Sequence, residues 1–184
     1  MDFEDKKIVL KDGRQALLRA VKPKEDAESM LEYLKAIAAE TPFIMRTPEE
    51  CEGMTVEKEE GFLNYILSSD DQVMIVCEVE GENAGNCTLS FNRRAKTHHV
   101  ASVAIGLYKK FWNLGIGTAM FEAMTEIAKK RDGVEIMELE FITGNDRART
   151  LYEKSGFTAI CERPDVILQP DGTKAGLVYM QKRI

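Results

Sequence analysis

Two short segments of this 184-residue chain carry residue types that can bind an anion and move a proton. The first, Leu107-Tyr108-Lys109-Lys110-Phe111-Trp112-Asn113-Leu114-Gly115-Ile116-Gly117-Thr118, follows an apolar, β-prone run and opens an amphipathic pattern. A helix starting on such a turn presents unpaired N–H groups and about half a positive charge, a combination that binds phosphate. Gly115 and Gly117 add no side chain that would hold a phosphate away from the backbone. Taken alone, a G-x-G turn before a helix is equally a plain turn. It lacks the G-K-[ST] of a nucleotide P-loop and the third glycine of a dinucleotide fold. The second segment, Asn145-Asp146-Arg147-Ala148-Arg149-Thr150-Leu151-Tyr152-Glu153-Lys154-Ser155-Gly156-Phe157, contributes an amide and a phenol. A phenol with a pKa around 10 holds its proton at neutral pH and can donate it.

The elements that must position these residues follow from hydrophobic period. Lys6–Leu10 and Arg14–Val21 flank the turn Lys11-Asp12-Gly13, a hairpin signal. Pro23 and the acidic Glu25, Asp26 and Glu28 start a helix over Lys24–Ala39, which Thr41-Pro42-Phe43 and Thr47-Pro48 break into a loop. A second helix covers Thr55–Ser68, with Phe62, Leu63, Ile66 and Leu67 at core spacing. Gln72–Val79 and Ala84–Phe91 form a second hairpin, and Val100–Leu107 a further apolar strand. Ile116, Ala119, Met120, Ala123, Met124 and Ile127 make the apolar stripe of a helix over Gly115–Lys130. Val134–Ile142 is a strand, Asp146–Ser155 a helix stopped by Gly156, and Thr158–Leu168 with Lys174–Lys182 a terminal hairpin. The order is antiparallel hairpins, a β-α-β unit, then a last hairpin, with no repeat or linker: one mixed α/β domain over 1–184.

Composition narrows the function classes. Charged residues make up 30% and hydrophobic residues 44%, ordinary for a globular chain. The formal net charge of −6 argues against a general nucleic-acid binder, which needs a basic face. It suits a cationic substrate. No apolar run reaches the length of a membrane span. The stretch Met1-Asp2-Phe3-Glu4-Asp5-Lys6-Lys7 does not read as a signal peptide, so a cytoplasmic location is expected. Cys51, Cys77, Cys87 and Cys161 form no C-x-x-C pair and read as buried reduced thiols. His98 and His99, as strand neighbours, point to opposite faces and chelate poorly, so no metal is expected.

With both segments in view, the chain resembles the GCN5-related N-acetyltransferase (GNAT) superfamily, in a bacterial type. The family signature Gln/Arg-x-x-Gly-x-Gly/Ala corresponds to Trp112-Asn113-Leu114-Gly115-Ile116-Gly117, with Trp112 in place of Gln or Arg. Asn145, Arg147-Ala148, Leu151-Tyr152, Lys154 and Gly156-Phe157 match the family's second segment in register. The resemblance runs from about Val73 to Met180 and is strongest from Val100 to Phe157. It implies a mostly antiparallel twisted sheet whose central strands Val100–Leu107 and Val134–Ile142 run parallel and splay apart, flanked by helices. It further implies acetyl-CoA as co-substrate, its pantetheine arm on the backbone of Ile105 and Leu107. The pyrophosphate would rest on the amides of Asn113, Leu114, Gly115, Ile116, Gly117 and Thr118, with Asn145 a further contact. Lys109, Lys110 and Lys154 would add screened attraction or simply be solvated. Tyr152 takes the role of general acid toward the departing coenzyme A thiolate.

The acceptor half is less specified. An α-amine with pKa near 8 is roughly a tenth neutral at pH 7, and a lysine amine near 10.4 is neutral in about one molecule per few thousand. The site must therefore take a proton from the amine. Relatives carry a Glu three residues before Ile105, where this chain has Ser102. Glu140 or a water relay is the remaining option, and the base stays unassigned. Glu40–Arg46 and Arg163–Gly176 are expected to shape the acceptor pocket; Glu40 is a candidate to hold a cationic amine and Phe43 to form an apolar wall, though each reads first as an ordinary loop residue. Gly176 stands where relatives often have Asp. The expected activity is acetyl transfer to a primary amine of a small molecule or of a protein or peptide. A different acyl-CoA donor and a non-catalytic coenzyme A-binding module are the alternatives. A homodimer is possible in this family.

Overall fold

The computed structural model describes residues 3–184; Met1 and Asp2, the start of the charged N-terminal stretch, lie outside the described residues. Eight strands form one sheet: β1 (Lys6–Val9), β2 (Gln15–Ala20), β3 (Gln72–Val79), β4 (Glu82–Phe91), β5 (Val100–Leu107), β6 (Ile136–Ile142), β7 (Thr158–Leu168) and β8 (Lys174–Arg183). Their spatial order is β1-β2-β3-β4-β5-β6-β8-β7. Among the described strands only β5 and β6 pair in parallel. That pairing lasts for Val100↔Ile136, Ala101↔Met137 and Ser102↔Glu138 and then stops. β5 stays on β4 out to Leu107↔Gly85, while β6 stays on β8 out to Ile142↔Leu177. The two halves of the sheet therefore part in the middle.

The register on β3 slips between Cys77 and Glu78, leaving Ala84 as an extra residue in β4. A bulge adds bend and right-handed twist to its strand. It sits level with Leu107, at the end of β5 farthest from the last pair with β6. Gly85 is essential there: a Cβ on it would stand 2.3 Å from the Gly106 carbonyl oxygen.

Alternation along the strands sorts side chains to two faces. Ala101, Val103, Met137, Leu139 and Phe141 join the core under α4 (Ile116–Lys130) and α5 (Asp146–Lys154). The opposite face is covered over β3 and its neighbours by α1 (Pro23–Glu40) and α3 (Val56–Ser68), through Met30, Tyr33, Ile37, Leu63 and Ile66. Gly106 on β5 allows α1 to sit close, since a Cβ there would lie 2.3 Å from the Tyr33 hydroxyl. Ser102, Ala104, Gly106, Glu138 and Glu140 belong to this α1 face.

The segment read as a plain loop at Thr47-Pro48 is instead a short helix, α2 (Pro48–Glu52). Thr47 Oγ1 accepts from the Glu50 N–H and Glu50 Oε2 from the Thr47 N–H, a complete capping box with proline at the first helical position. The same proline that ends one element starts the next. Cys161 is also not buried: it is exposed on β7, the edge strand, whereas Cys51, Cys77 and Cys87 are buried.

One buried ion pair ties α1 to the sheet. Arg19 Nη1 and Nη2 donate to the two Asp26 oxygens at 2.8 and 2.7 Å, and the Lys22 N–H donates to Asp26 Oδ2 at 2.6 Å. Asp26 thereby caps a helix whose N-cap residue, Lys22, supplies no capping side chain. Arg19 Nε also donates to Glu78 Oε2 at 3.1 Å, so loss of Asp26 leaves the buried guanidinium with one carboxylate partner instead of two. Asp26→Ala is expected to lower the unfolding free energy by up to about 3–5 kcal/mol at unchanged m-value, read by urea unfolding.

Candidate functional site

A cleft of about 960 Å³ opens where β5 and β6 diverge. That lies within the range of small-ligand and cofactor sites. It passes between the sheet's two faces, so residues from both line it.

At one end are the starts of two helices. Gly115 is the N-cap of α4 at φ 94°, a left-handed conformation that glycine adopts without strain. Among the described residues, none of the N–H groups from Asn113 to Thr118 donates to a protein acceptor; the first amide of this helix to do so is Ala119, to Gly115. Asn113 is itself at φ 65°, so the chain turns its amides inward over consecutive residues. Asn145 caps α5, its Oδ1 accepting from the Ala148 N–H at 3.2 Å. Both helix starts line the cleft. Their dipoles add positive potential where the amides point.

Trp112 holds this end together. Its Nε1–H donates to the Leu107 carbonyl at 2.9 Å, and the Arg147 guanidinium lies 3.9 Å from its ring centroid. Arg147 also donates to Asn113 Oδ1 at 3.0 Å. The indole thus joins the end of β5, the glycine turn and α5, work a Gln or Arg side chain would do differently. The first hairpin contributes too: the Lys11 N–H donates to the Leu114 carbonyl at 3.1 Å, setting Lys11 beside Gly115. Lys11, Arg147 and Lys154 all line the cleft.

Most residues singled out from the sequence meet here. Ile105, Leu107, Asn113, Gly115, Ile116, Gly117, Thr118, Asn145 and Tyr152 all line the cleft. Leu114 packs its side chain against the core and gives its carbonyl to Lys11, while its N–H, the group expected to serve, has no acceptor among the described residues. Ile105 and Leu107 turn main-chain groups to the open side. Tyr108 donates its N–H to Ala84 on β4, and alternate residues along a strand reverse direction. Leu107 offers less than expected, since its carbonyl already accepts from Trp112. Gly117 has a second reason to be glycine, as a Cβ there would lie 2.7 Å from a Leu151 methyl. α4 and α5 need that contact.

Tyr152 reaches the cleft from the α4 side, edge-on to Phe121 and Phe141 with ring centroids 5.5 Å away in each case. Burial pushes its hydroxyl pKa up to about 12, which keeps it protonated.

The acceptor side departs from expectation. Glu40 does not line the cleft; its Oε2 accepts from the Lys109 N–H at 2.9 Å and caps the 3-10 turn Lys109–Phe111. Lys109 bonds back to the Glu40 carbonyl, and Lys110 pairs with Glu82, so neither faces the helix starts. Phe43 does line the cleft, with Ile37, Ile44 and Met45. Gly176 is closely packed, its N–H donating to Thr143 Oγ1 at 2.8 Å and its Cβ position 3.0 Å from a Thr143 methyl. A side chain there would need Thr143 and its neighbours to give by a few tenths of an ångström.

Sequence reasoning passed over Lys11, Trp112 and Arg147 as contributors to the anion end, and it passed over Glu138. The Ser102 hydroxyl donates to Glu138 Oε1 at 3.1 Å. Alternation with Met137 and Leu139 was a signal that Glu138 and Glu140 share a face; that Glu138 stands beside Ser102 needed the register.

Gly115→Ala forces an L-residue into left-handed geometry at about 1–2 kcal/mol. Its unfolding free energy should fall by that amount. Inorganic pyrophosphate, titrated by calorimetry, should bind it more weakly than the parent chain.

Comparison with known proteins agrees with this geometry. The model of the acetyltransferase (GNAT) family matches residues 31–157. L-amino acid N-acetyltransferase AaaT of Escherichia coli (strain K12) is 27% identical over 84 residues, 46% of this chain and 51% of that protein. The match thus spans about half the length of that relative. An acetyltransferase of the GNAT family from Streptococcus pneumoniae superposes with a TM-score of 0.84 at 28% identity, over 92% of this chain and 99% of that one. YncA, a putative acetyltransferase of Salmonella typhimurium solved with acetyl-CoA, shares the fold with a TM-score of 0.78 at 15% identity, covering 91% and 93%. With the splayed strand pair, the glycine-turn helix and the Tyr152 helix in one cleft, this chain belongs to the acetyltransferase (GNAT) family.

Proposed function

We propose that this protein transfers an acetyl group from acetyl-CoA to a primary amine. The observation that carries the reading is the row of unengaged amides from Asn113 to Thr118 opening, with Tyr152, onto one cleft along the free edge of β5. Those amides suit a pyrophosphate, and Lys11, Arg147 and Lys154 add local positive charge to a chain that is acidic overall. The Ile105 main chain and the Leu107 N–H suit an extended amide-bearing arm. When bound, acetyl-CoA would supply a thioester carbonyl open to an amine nitrogen. Tyr152 would hold a proton on its hydroxyl for the departing sulfur. Its burial suits that task, because a phenol kept neutral is available as a donor across the physiological range.

Glu138, Glu140 and Tyr179 on the open α1 face favour a cationic acceptor, and Phe43 and Ile44 give it an apolar wall. The named relative acts on L-amino acids, which makes amino acids one class to test beside polyamines, peptide N-termini and lysine side chains. No helix among the described residues is long and apolar enough to cross a membrane. We place the whole chain, 1–184, in one catalytic domain working in the cytoplasm.

Acetyl-CoA at about 100 times its dissociation constant should stabilise the fold by about 2.7 kcal/mol. No rise in Tm at millimolar acetyl-CoA removes the reading; a rise without thiol release across the amine panel points to a coenzyme A-binding module. Trp112 is the chain's single tryptophan, so its fluorescence should change as the anion end fills. Tyr152→Phe should lower kcat by about 10²-fold or more with cofactor affinity unchanged. Since the Tyr152 hydroxyl is raised to about 12, its deprotonation should remove activity and folding stability only above pH 10 and progressively toward pH 12. A phenol-type alkaline limb well below pH 10 in the parent, absent in Tyr152→Phe, would contradict that assignment.

A further inference from the structure

Glu138 sits at the last residue pair before β5 and β6 part, opposite Ser102. That is the apex of the cleft, reached by the free edge of β5 from one side and by the open α1 face from the other. We infer that Glu138 is the general base that takes the proton from the incoming ammonium, and that Ser102 is its positioning residue. The inference rests on the acetyl-transfer reading above.

Three features of the molecule carry it. One Glu138 oxygen accepts from Ser102, while the other accepts no hydrogen bond among the described residues, leaving it lone pairs for an ammonium N–H. Ser102 is short and half-buried, and its single donor fixes the carboxylate at the apex without consuming it. The strand that lacks a carboxylate at residue 102 thus borrows one from the strand beside it. Second, Tyr152 and Glu138 open onto the cleft from opposite faces of the sheet, because Phe141, against which Tyr152 packs, and Glu138 alternate along β6. Donor and acceptor are kept apart, so neither neutralises the other. Third, the cations lining the cleft, Lys11, Arg147 and Lys154, come from the first hairpin turn and α5, while the polar neighbours of Glu138 on its face are Gln181, paired directly with it, Glu140, and Tyr179, whose hydroxyl accepts from Arg163 outside the cleft lining. An ammonium is drawn to the Glu138 end. Glu140 suits the role less well: it is exposed, and it lies two residues beyond the final β5–β6 pair, where β5 has already turned away.

The proton balance is simple. An ammonium N–H bond breaks, its electron pair stays on nitrogen, and an O–H bond forms at Glu138. The nitrogen pair bonds to the acyl carbon of the thioester, the C–S pair leaves on sulfur, which takes the Tyr152 proton, and the second proton on the now cationic nitrogen is lost to water. Water also receives the Glu138 proton and returns one to Tyr152, so the ammonium gives up two protons, one ends on the thiol and one is released per amide formed.

The test uses two probe amines of matched size in the acetyl-CoA thiol-release assay: ethylamine, cationic at neutral pH, and trifluoroethylamine, which is neutral there. Glu138→Gln should lose about 10²-fold or more in kcat with ethylamine and far less with trifluoroethylamine, with the coenzyme A-induced rise in Tm intact. Ser102→Ala should show a smaller loss of the same selectivity, restored by Ser102→Thr. An equal loss with both amines, or none with either, overturns the assignment. A second arm needs no turnover: ethylamine titrated against the coenzyme A-bound protein, followed by NMR of the amine, should bind at least tenfold more weakly to Glu138→Gln. Equal binding overturns the inference. Thiol release absent from the parent chain with both amines, but selective ethylamine binding present, sinks the acetyl-transfer reading while leaving Glu138 as the ammonium site.

Discussion

Everything distinctive about this molecule depends on a parallel ladder that holds for three residue pairs and then opens. An unpaired strand edge inside a sheet exposes main-chain donors and acceptors that must find partners elsewhere. Here β5 stays on β4 out to Leu107, while β6 remains fully paired to β8. The outcome is a groove with a hydrogen-bonding wall that no side chain has to provide. Because the groove runs through the sheet, chemistry from both faces converges on it. Had β5 and β6 stayed paired to Leu107, Tyr152 and Glu138 would sit in separate compartments.

The anion end shows how a local field wins over a global charge. The chain carries a formal net charge of −6, yet the potential at the α4 start is set by amides, helix ends and the adjacent cations Lys11 and Arg147. Screening over about 8 Å at physiological salt leaves the distant carboxylates little influence there. Trp112 matters for the same reason: by bonding to Leu107 and stacking under Arg147, it fixes the distance between the strand edge and the amides. Rigid placement is what allows partial charges to act together.

Much of this was legible residue by residue. Val100–Leu107 and Thr158–Leu168 have the boundaries that hydrophobic period predicts, and α4 follows its apolar stripe to Lys130. Local signals fail where one residue has two meanings. Pro48 ends a loop and begins α2, and the capping box at Thr47 and Glu50 was the signal that decides it. Glu40 illustrates the other failure: a carboxylate near a pocket in sequence is claimed by an N–H 69 residues away.

What the chain's own order of residues determined is one half of the cleft: a glycine turn on a helix start, and an Asn and a Tyr on the helix after the next strand. These are short-range patterns, because helix starts, caps and turns are set by backbone geometry over a few residues. What only the tertiary structure decided is the other end of the cleft. Ser102 and Glu138 become partners through a register between strands 36 residues apart, and the cleft exists because β5 follows β4 while β6 follows β8. Strand register depends on the packing of whole faces, which no local window contains.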